Sequence, residues 1–367
     1  MNELAPCRIL YIAASCSVHT QKWCQWFASR GHDVHVATFD SDEIPGVTVH
    51  HMRQSSRVGA SDPRKIAYLS RAAELRRIVV GLRPDIVHAH YASSYGALAA
   101  LAVVQPYYLS VWGSDVYEFP RRSPLHRALL KYALRRATWL MSTSQAMADE
   151  TSQYTDKTLD ITPFGVDTEV FRPLQQCGSP SGTFTVGTVK ALSPKYGIST
   201  LLKGCAIALQ SRPDMPLRIR IAGKGPQEQE LKELAVELGI ASRVEWLGFV
   251  DASRVPAIWQ SLDVALIPSE AESFGVAAVE AQACGVPVII SDIPGLMEAA
   301  CPEARLVVNC GDAAAVGRAL VNLYDHPERR QSMGKMGCQF VSDRFALASC
   351  FERVERFYIR NMERGYE

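Results

Sequence analysis

Short runs of apolar residues alternate with amphipathic stretches along the whole chain. In the first half, apolar runs near 8–14, 33–38, 47–51, 85–90, 107–112, 139–143 and 159–163 read as strands. Periodic stretches near 20–30, 63–82, 94–104, 123–137 and 145–153 read as helices. In the second half, strands read near 184–189, 217–222, 243–248, 264–268, 286–291 and 304–308, with helices between them. Strand–helix alternation of this kind predicts α/β architecture with parallel, doubly wound sheets covered on both faces. The periodicity lapses over Arg172–Thr183, RPLQQCGSPSGT, which is rich in Pro, Gly, Ser and Gln. The expected organisation is a Rossmann-like domain over 1–172, a linker over 173–183, a second Rossmann-like domain over 184–345 and a last helix within 346–367. The two domains are expected to face a central cleft, with ligands at the carboxyl ends of strands.

The densest chemistry lies between two of these strands. Glu272 and Glu280 bracket Ser273-Phe274-Gly275-Val276-Ala277-Ala278-Val279, after the apolar run Val264–Pro268 and before the run Cys284–Ile290. This reads as strand, loop, helix, strand, with Glu272 at the helix mouth and Glu280 about two turns in. A helix mouth attracts anions, because its first N–H groups are unpaired and its dipole end is positive. Gly275 lets a ligand approach that backbone. If the stretch is helical throughout, the two carboxyls lie about 12 Å apart along the axis. Hydrolytic carboxyl pairs sit closer, roughly 5–9.5 Å apart. The spacing suits a long ligand with an anionic middle and a hydroxylated group at each end, the shape of a nucleoside diphosphate sugar. The plain alternative has Glu272 favouring the helix dipole and Glu280 solvated.

These residues resemble the Glu-x7-Glu signature of the retaining GT-B glycosyltransferases of family 4. Other segments are similar in the same order. Pro163–Pro173, PFGVDTEVFRP, resembles the family's P-N-G-V-D-x-x-x-F-x-P crossover. Leu217–Pro226, LRIRIAGKGP, resembles its I-x-G-x-G-P strand and turn, and Val244–Phe249, VEWLGF, its V-x-F-x-G strand. The resemblance implies a GT-B fold and a retaining hexosyl transfer that needs no metal or other cofactor beyond the nucleotide sugar, UDP-linked by expectation. It implies that Glu280 binds ribose hydroxyls, that Glu272 orients the hexose, and that backbone at Ser273, Phe274, Gly275 and Val276 holds diphosphate. It also implies a last helix that packs back on the N-terminal domain.

Three departures from the family pattern matter. The family's G-R-L-x-x-x-K-G segment corresponds to Thr188–Gly197, TVKALSPKYG, where Ala191 and Tyr196 replace the Arg and Lys. Lys190 and Lys195 stand one residue earlier with the spacing intact, so both cations are expected to serve the diphosphate from shifted positions. A lysine can do so as a point charge. The family's T-x-H-G-x-D segment corresponds to Leu109–Asp115, where Trp112 replaces a histidine that contacts the donor sugar, while Asp115 matches. The first strand ends in Ala14–Thr20 without the Gly-rich loop many relatives carry, which argues against NAD-type binding there. His19 in that turn could face the cleft or simply begin the helix. His88 and His90 share one face of a buried strand, and His90 lies nearer its carboxyl end, which makes it, with Asp115, a candidate for the reaction itself. Gly223 in GKGP is expected near the nucleotide base.

Composition narrows the rest. The chain has 367 residues, 47% apolar and 21% charged, with a net charge of +1, and reads as an ordinary globular protein without affinity for nucleic acid. Ten cysteines without a Cys-x-x-Cys pair suggest free thiols in a reducing cytosol rather than a metal site. No basic leader with a long apolar core precedes the first strand, and no apolar run is long enough to span a bilayer, so a cytoplasmic protein is expected. Residues 121–137 read as a basic amphipathic helix, with Arg127, Lys131 and Arg135 on one face and Leu130, Leu134 and Ala137 on another. Such a face can rest weakly on anionic lipid at the inner membrane surface, or can simply be solvated. The expected activity is hexosyl transfer from a nucleotide sugar to a hydroxyl of a saccharide, lipid-linked or small-molecule acceptor. A UDP-sugar epimerase and a non-catalytic nucleotide-sugar-binding subunit are the alternatives.

Overall fold

The computed structural model describes residues 4–53, 69–102, 106–174 and 182–363. The beginning of the helix expected from 63, the end of that expected to 104 and most of the expected linker lie outside them. The chain divides into two compact units, Met1–Phe164 with Cys350–Glu367, and Gly165–Ser349.

The first unit carries β1 (Arg8–Ile12), β2 (Asp33–Thr38), β3 (Thr48–His51), β4 (Ile86–His90), β5 (Tyr108–Val111), β6 (Trp139–Ser142) and β7 (Leu159–Ile161). They form one sheet in the order β3-β2-β1-β4-β5-β6-β7. Every pairing is parallel. The second carries β8 (Phe184–Val189), β9 (Leu217–Ala222), β10 (Val244–Gly248), β11 (Val264–Ile267), β12 (Val288–Ser291) and β13 (Arg305–Val308). Its sheet runs β10-β9-β8-β11-β12-β13, again wholly parallel. Each expected strand is present, and the inner ones stand out in the sequence because parallel strands covered on both faces are mostly apolar. The central strands β11 and β12 are buried along their whole length.

Side-chain alternation gives the first sheet two different faces. Leu10, Ile12, Val87, Ala89, Leu109 and Val111 pack into an aliphatic core with the helices on one side. On the other side Tyr11, Trp23, Phe27, His88 and Tyr358 form an aromatic layer. The helix Leu347–Glu363 supplies Phe351 and Tyr358 to that layer, which places the chain from Cys350 in the first unit. The second unit has an aliphatic core in which the helices Ile198–Ser211 and Ala313–Asp325 cover the sheet.

Strand order reverses once in each sheet, between β1 and β4 and between β8 and β11. At such a reversal the crossover helices leave toward opposite faces, and a crevice opens at the carboxyl ends of the two strands. The topology therefore marks two places in advance of any side chain.

Candidate active site

Lys190 leaves the end of β8, and Glu272 follows β11, so the two flank the reversal in the second unit. Their side chains form an ion pair and are only 13% and 10% exposed. Burial of both groups is tolerable because each neutralises the other. The Lys190 Nζ also lies 4.7 Å from the centroid of the Tyr196 ring, and the Lys195 Nζ lies 5.3 Å from it. An aromatic face attracts cations, so one ring gathers both ammonium groups.

Backbone contacts fix these side chains from two directions. The Glu270 amide donates to the Lys195 carbonyl at 2.8 Å, tying the loop after β11 to the turn Pro194–Tyr196. The Lys190 amide donates to the Ala222 carbonyl at 2.9 Å, and the Leu192 amide to the Lys224 carbonyl at 3.0 Å. Gly223 makes this approach feasible. Its φ is +143°, and a Cβ there would lie 1.8 Å from the Lys190 carbonyl oxygen. Gly223 thus seats the lysine loop.

The helix after Glu272 spans only Val276–Ala283, with Gly275 at φ 104° as its N-cap. The chain turns at Gly275, so the run between the two glutamates is not one helix and the 12 Å axial spacing does not apply. A Cβ on Gly275 would lie 2.7 Å from Leu296 Cδ2, so this glycine answers to the packing of its own chain. The Phe274 side chain is buried edge-on to Phe345 at 5.3 Å, which leaves its backbone as the part able to meet a ligand. No acidic residue occupies the first turn, and the helix mouth with Ser273, Phe274, Gly275 and Val276 keeps its positive dipole end. Glu280 sits in the second turn, where its Oε2 accepts a hydrogen bond at 3.2 Å from the fully buried Trp259 indole. That donor fixes the direction of the carboxylate.

The first unit assembles a different set at its own reversal. His90, the last residue of β4, is buried, and neither ring nitrogen has a hydrogen-bond partner among the described residues. Its ring lies 4.4 Å from Trp112, 5.0 Å from Trp23 and 5.2 Å from Tyr11. Burial, with the neighbouring His88 and His19, holds its pKa well below the usual histidine range. His88 is bonded at both nitrogens, to the Tyr358 hydroxyl at 2.6 Å and the Ser110 hydroxyl at 2.7 Å, and burial lowers its pKa to about 3. His19 stacks on Phe164 at 3.8 Å and meets Trp112 edge-on at 6.0 Å. Burial, then the Lys22 charge, lowers its pKa to about 4. Trp112 thus stands between two neutral imidazoles.

Asp115 is fully buried and accepts from the amides of Gly113 at 2.7 Å, Ala92 at 2.8 Å and Trp112 at 3.2 Å. Burial raises its pKa, and the amide bonds oppose that rise. The carboxylate therefore ties the turn after β5 to the turn after β4 and positions Trp112.

Three participants escaped the sequence reading. Tyr196 was visible only as the residue in a lysine's place, and Trp259 carried no signal linking it to Glu280. Tyr91 has a φ of 76° and opens the π-helical turn Ala92–Gly96, with its hydroxyl bonded to Ser114. Nothing about a tyrosine announces a left-handed backbone, and such strain directly after a strand marks functional turns.

The basic helix spans Pro124–Arg136 and buries Leu130, Ala133 and Leu134. Arg127, Lys131 and Arg135 are exposed, and none joins an ion pair among the described residues. Leu125 beside them is 66% exposed. No helix among the described residues is long and apolar enough to cross a membrane.

Comparison with known proteins agrees with this picture. The family model described as glycosyl transferase 4-like matches residues 8–144, and that described as glycosyl transferases group 1 matches residues 174–340. A D-inositol 3-phosphate glycosyltransferase of Arthrobacter sp. (strain FB24) is 30% identical over 329 residues, covering 79% of this chain and 75% of the relative. Among solved structures, a sucrose-phosphate synthase from Thermosynechococcus elongatus superposes with a TM-score of 0.85 at 19% identity, covering 96% of this chain and 98% of that one. Anabaena Alr3699/HepE, solved with UDP and glucose, superposes with a TM-score of 0.76 at 19% identity, covering 97% and 100%. With its two parallel sheets, its ordered motifs and this degree of likeness, the chain belongs to the group 1 glycosyltransferases of GT-B fold and is a glycosyltransferase.

Proposed function

We propose that the enzyme transfers a hexosyl group from a UDP-sugar to a hydroxyl acceptor with retention of anomeric configuration. The observation that carries this reading is the meeting of Lys190, Lys195 and Glu272 around Tyr196 at the β8/β11 reversal. Two cations and the mouth of the helix Val276–Ala283 suit a diphosphate. Glu272 is the carboxylate beside them that orients the hexose, and Glu280, aimed by Trp259, binds the ribose. The structure of Anabaena Alr3699/HepE with UDP and glucose supports UDP as the carrier. In the transfer, the bond from the anomeric carbon to the β-phosphate oxygen breaks as the acceptor oxygen bonds to that carbon on the same face. The departing phosphate oxygen takes the acceptor proton, and the fixed lysines and amides stabilise the charge that develops on it. His19, His90 and Trp112 bind the sugar or acceptor, and Asp115 positions Trp112.

The acceptor is a saccharide, lipid-linked or small polyol. The exposed Arg127, Lys131 and Leu125 of the helix Pro124–Arg136 fit weak peripheral contact with an anionic lipid surface. Vesicles rich in phosphatidylglycerol should retain the protein at low salt, and neutral vesicles should not.

The main test is turnover of UDP-glucose, UDP-galactose and UDP-N-acetylglucosamine with a panel of hydroxyl acceptors, with product configuration read by NMR. A product of inverted configuration would overturn retention. Release of an epimerised UDP-sugar without acceptor would replace the transfer reading altogether.

A further inference from the structure

The geometry points to a shared lysine: Glu272 and the donor diphosphate compete for Lys190, so the ion pair Lys190–Glu272 is the resting state and breaks when the nucleotide sugar binds. This inference rests on the proposed function. Glu272 is assigned to the hexose and Lys190 to the diphosphate, yet without ligand each side chain is occupied by the other. Both are mostly shielded from water, so a ligand that takes up either charge competes with the partner that now neutralises it.

A UDP-sugar compensates both partners at once. Its diphosphate receives the ammonium group, and its hexose hydroxyls donate to the released carboxylate. UDP alone compensates only the lysine and leaves Glu272 without its cation. The pair therefore discriminates between intact donor and spent product, which share the same nucleotide and diphosphate. After transfer, Glu272 retakes Lys190 and weakens the hold on UDP. Tyr196 makes the exchange short. Its ring lies 4.7 Å from the Lys190 ammonium and 5.3 Å from the Lys195 ammonium, so the lysine that leaves Glu272 stays beside its companion. Glu272 is then a positioning residue for the free site as well as a contact of the hexose.

The test is titration calorimetry of the full chain with UDP, GDP and ADP, using the nucleotide that binds most tightly for the variants Lys190→Met, Glu272→Gln and their combination. Lys190→Met should lower nucleotide affinity about ten-fold, the loss of one charge-assisted contact. Glu272→Gln should raise it about three-fold, because the competitor has lost its charge. The gain from Glu272→Gln should shrink in the Lys190→Met background, whereas a glutamate that only repels the diphosphate gives an equal or larger gain there, and that result overturns the competition. Glu272→Ala provides a second variant, and circular dichroism checks that each protein is folded. Lower or unchanged affinity in both Glu272 variants, with the Lys190 effect intact, overturns the competition and leaves the proposed function standing. Unchanged affinity in Lys190→Met overturns the diphosphate role of Lys190 and the inference with it. Binding of none of the three nucleotides overturns both.

Discussion

At the β1/β4 reversal the first unit buries His90 beside Trp112 without a hydrogen-bond partner among the described residues, whereas at the β8/β11 reversal the second holds Lys190 and Glu272 as an ion pair against Tyr196. The topology is the same, and the electrostatics are opposite. A polar group taken out of water must be neutral or paired. The first unit uses neutrality, with imidazoles kept unprotonated by burial among aromatic rings. The second uses pairing, which preserves full charges that an anionic ligand can claim. Full charges suit an anionic ligand, and neutral rings suit a ligand of hydroxyls and apolar faces, so the two reversals differ in what each can bind.

The comparison can be tested first by acid. His19, His88 and His90 have pKa values of about 4, about 3 and well below 6.5 in the folded chain, against 6.5 when unfolded. Above pH 6.5 both states are neutral and the histidines do not affect stability. Below it the unfolded chain takes up protons that the folded chain refuses, so stability falls as pH drops from about 6.5 toward 4. Near pH 5 His19 and His88 each cost the folded state on the order of 1 kcal/mol per pH unit, and His90 acts in the same direction. Hydrogen exchange should show amides of β4 losing protection over this range before those of β11, since residues 165–349 contain a single histidine, His326. Equal loss in both units would erase the distinction. The next largest effect is expected from Asp115→Ala, which strands three amides and should cost about 3 kcal/mol or more in a urea melt.

Glu272→Gln moves the comparison from stability to catalysis. It should cut turnover at saturating donor on the order of 10²-fold, about 3 kcal/mol, while leaving the melting temperature nearly unchanged. Normal turnover would remove Glu272 from the reaction. The smallest effect is expected at Trp112. Trp112→Ala should weaken donor or acceptor binding by about 1 kcal/mol if the indole carries a sugar face, and Trp112→His should retain transfer within about ten-fold. Values of KM measured for both substrates would assign the lost contact to one of them.

The strands were legible because β11 and β12 are nearly continuous apolar runs, and β1 and β4 are apolar but for Arg8 and two histidines, as a doubly covered sheet requires. The glutamates and the shifted lysines were legible as a pattern of charges on loops after strands. What the pattern could not give was partnership. Nothing in the spacing of Lys190 and Glu272 says that they meet, because their contact depends on β8 and β11 being neighbours, and that is a fact of strand order. The helix was expected to begin at Glu272, but Gly275 turns the backbone first. Asp115 was read as a group for the reaction from its match to a motif. Its bonds to three amides are long-range consequences of the turn after β4 and leave no mark in local sequence.

Gly223 has a bearing on how such a chain can change over generations. Its missing side chain is the space that the Lys190 carbonyl occupies, so the two turns are heritable as one piece. A mutation that gives residue 223 a Cβ displaces the loop that carries the cation, although it alters no charge and touches neither glutamate. Conversely, a side chain of the β8 loop can change without disturbing this seat, because Gly223 meets the Lys190 carbonyl and not its ammonium group. Change in this part of the chain is thus open to side chains of the lysine loop and closed at the small residue opposite it.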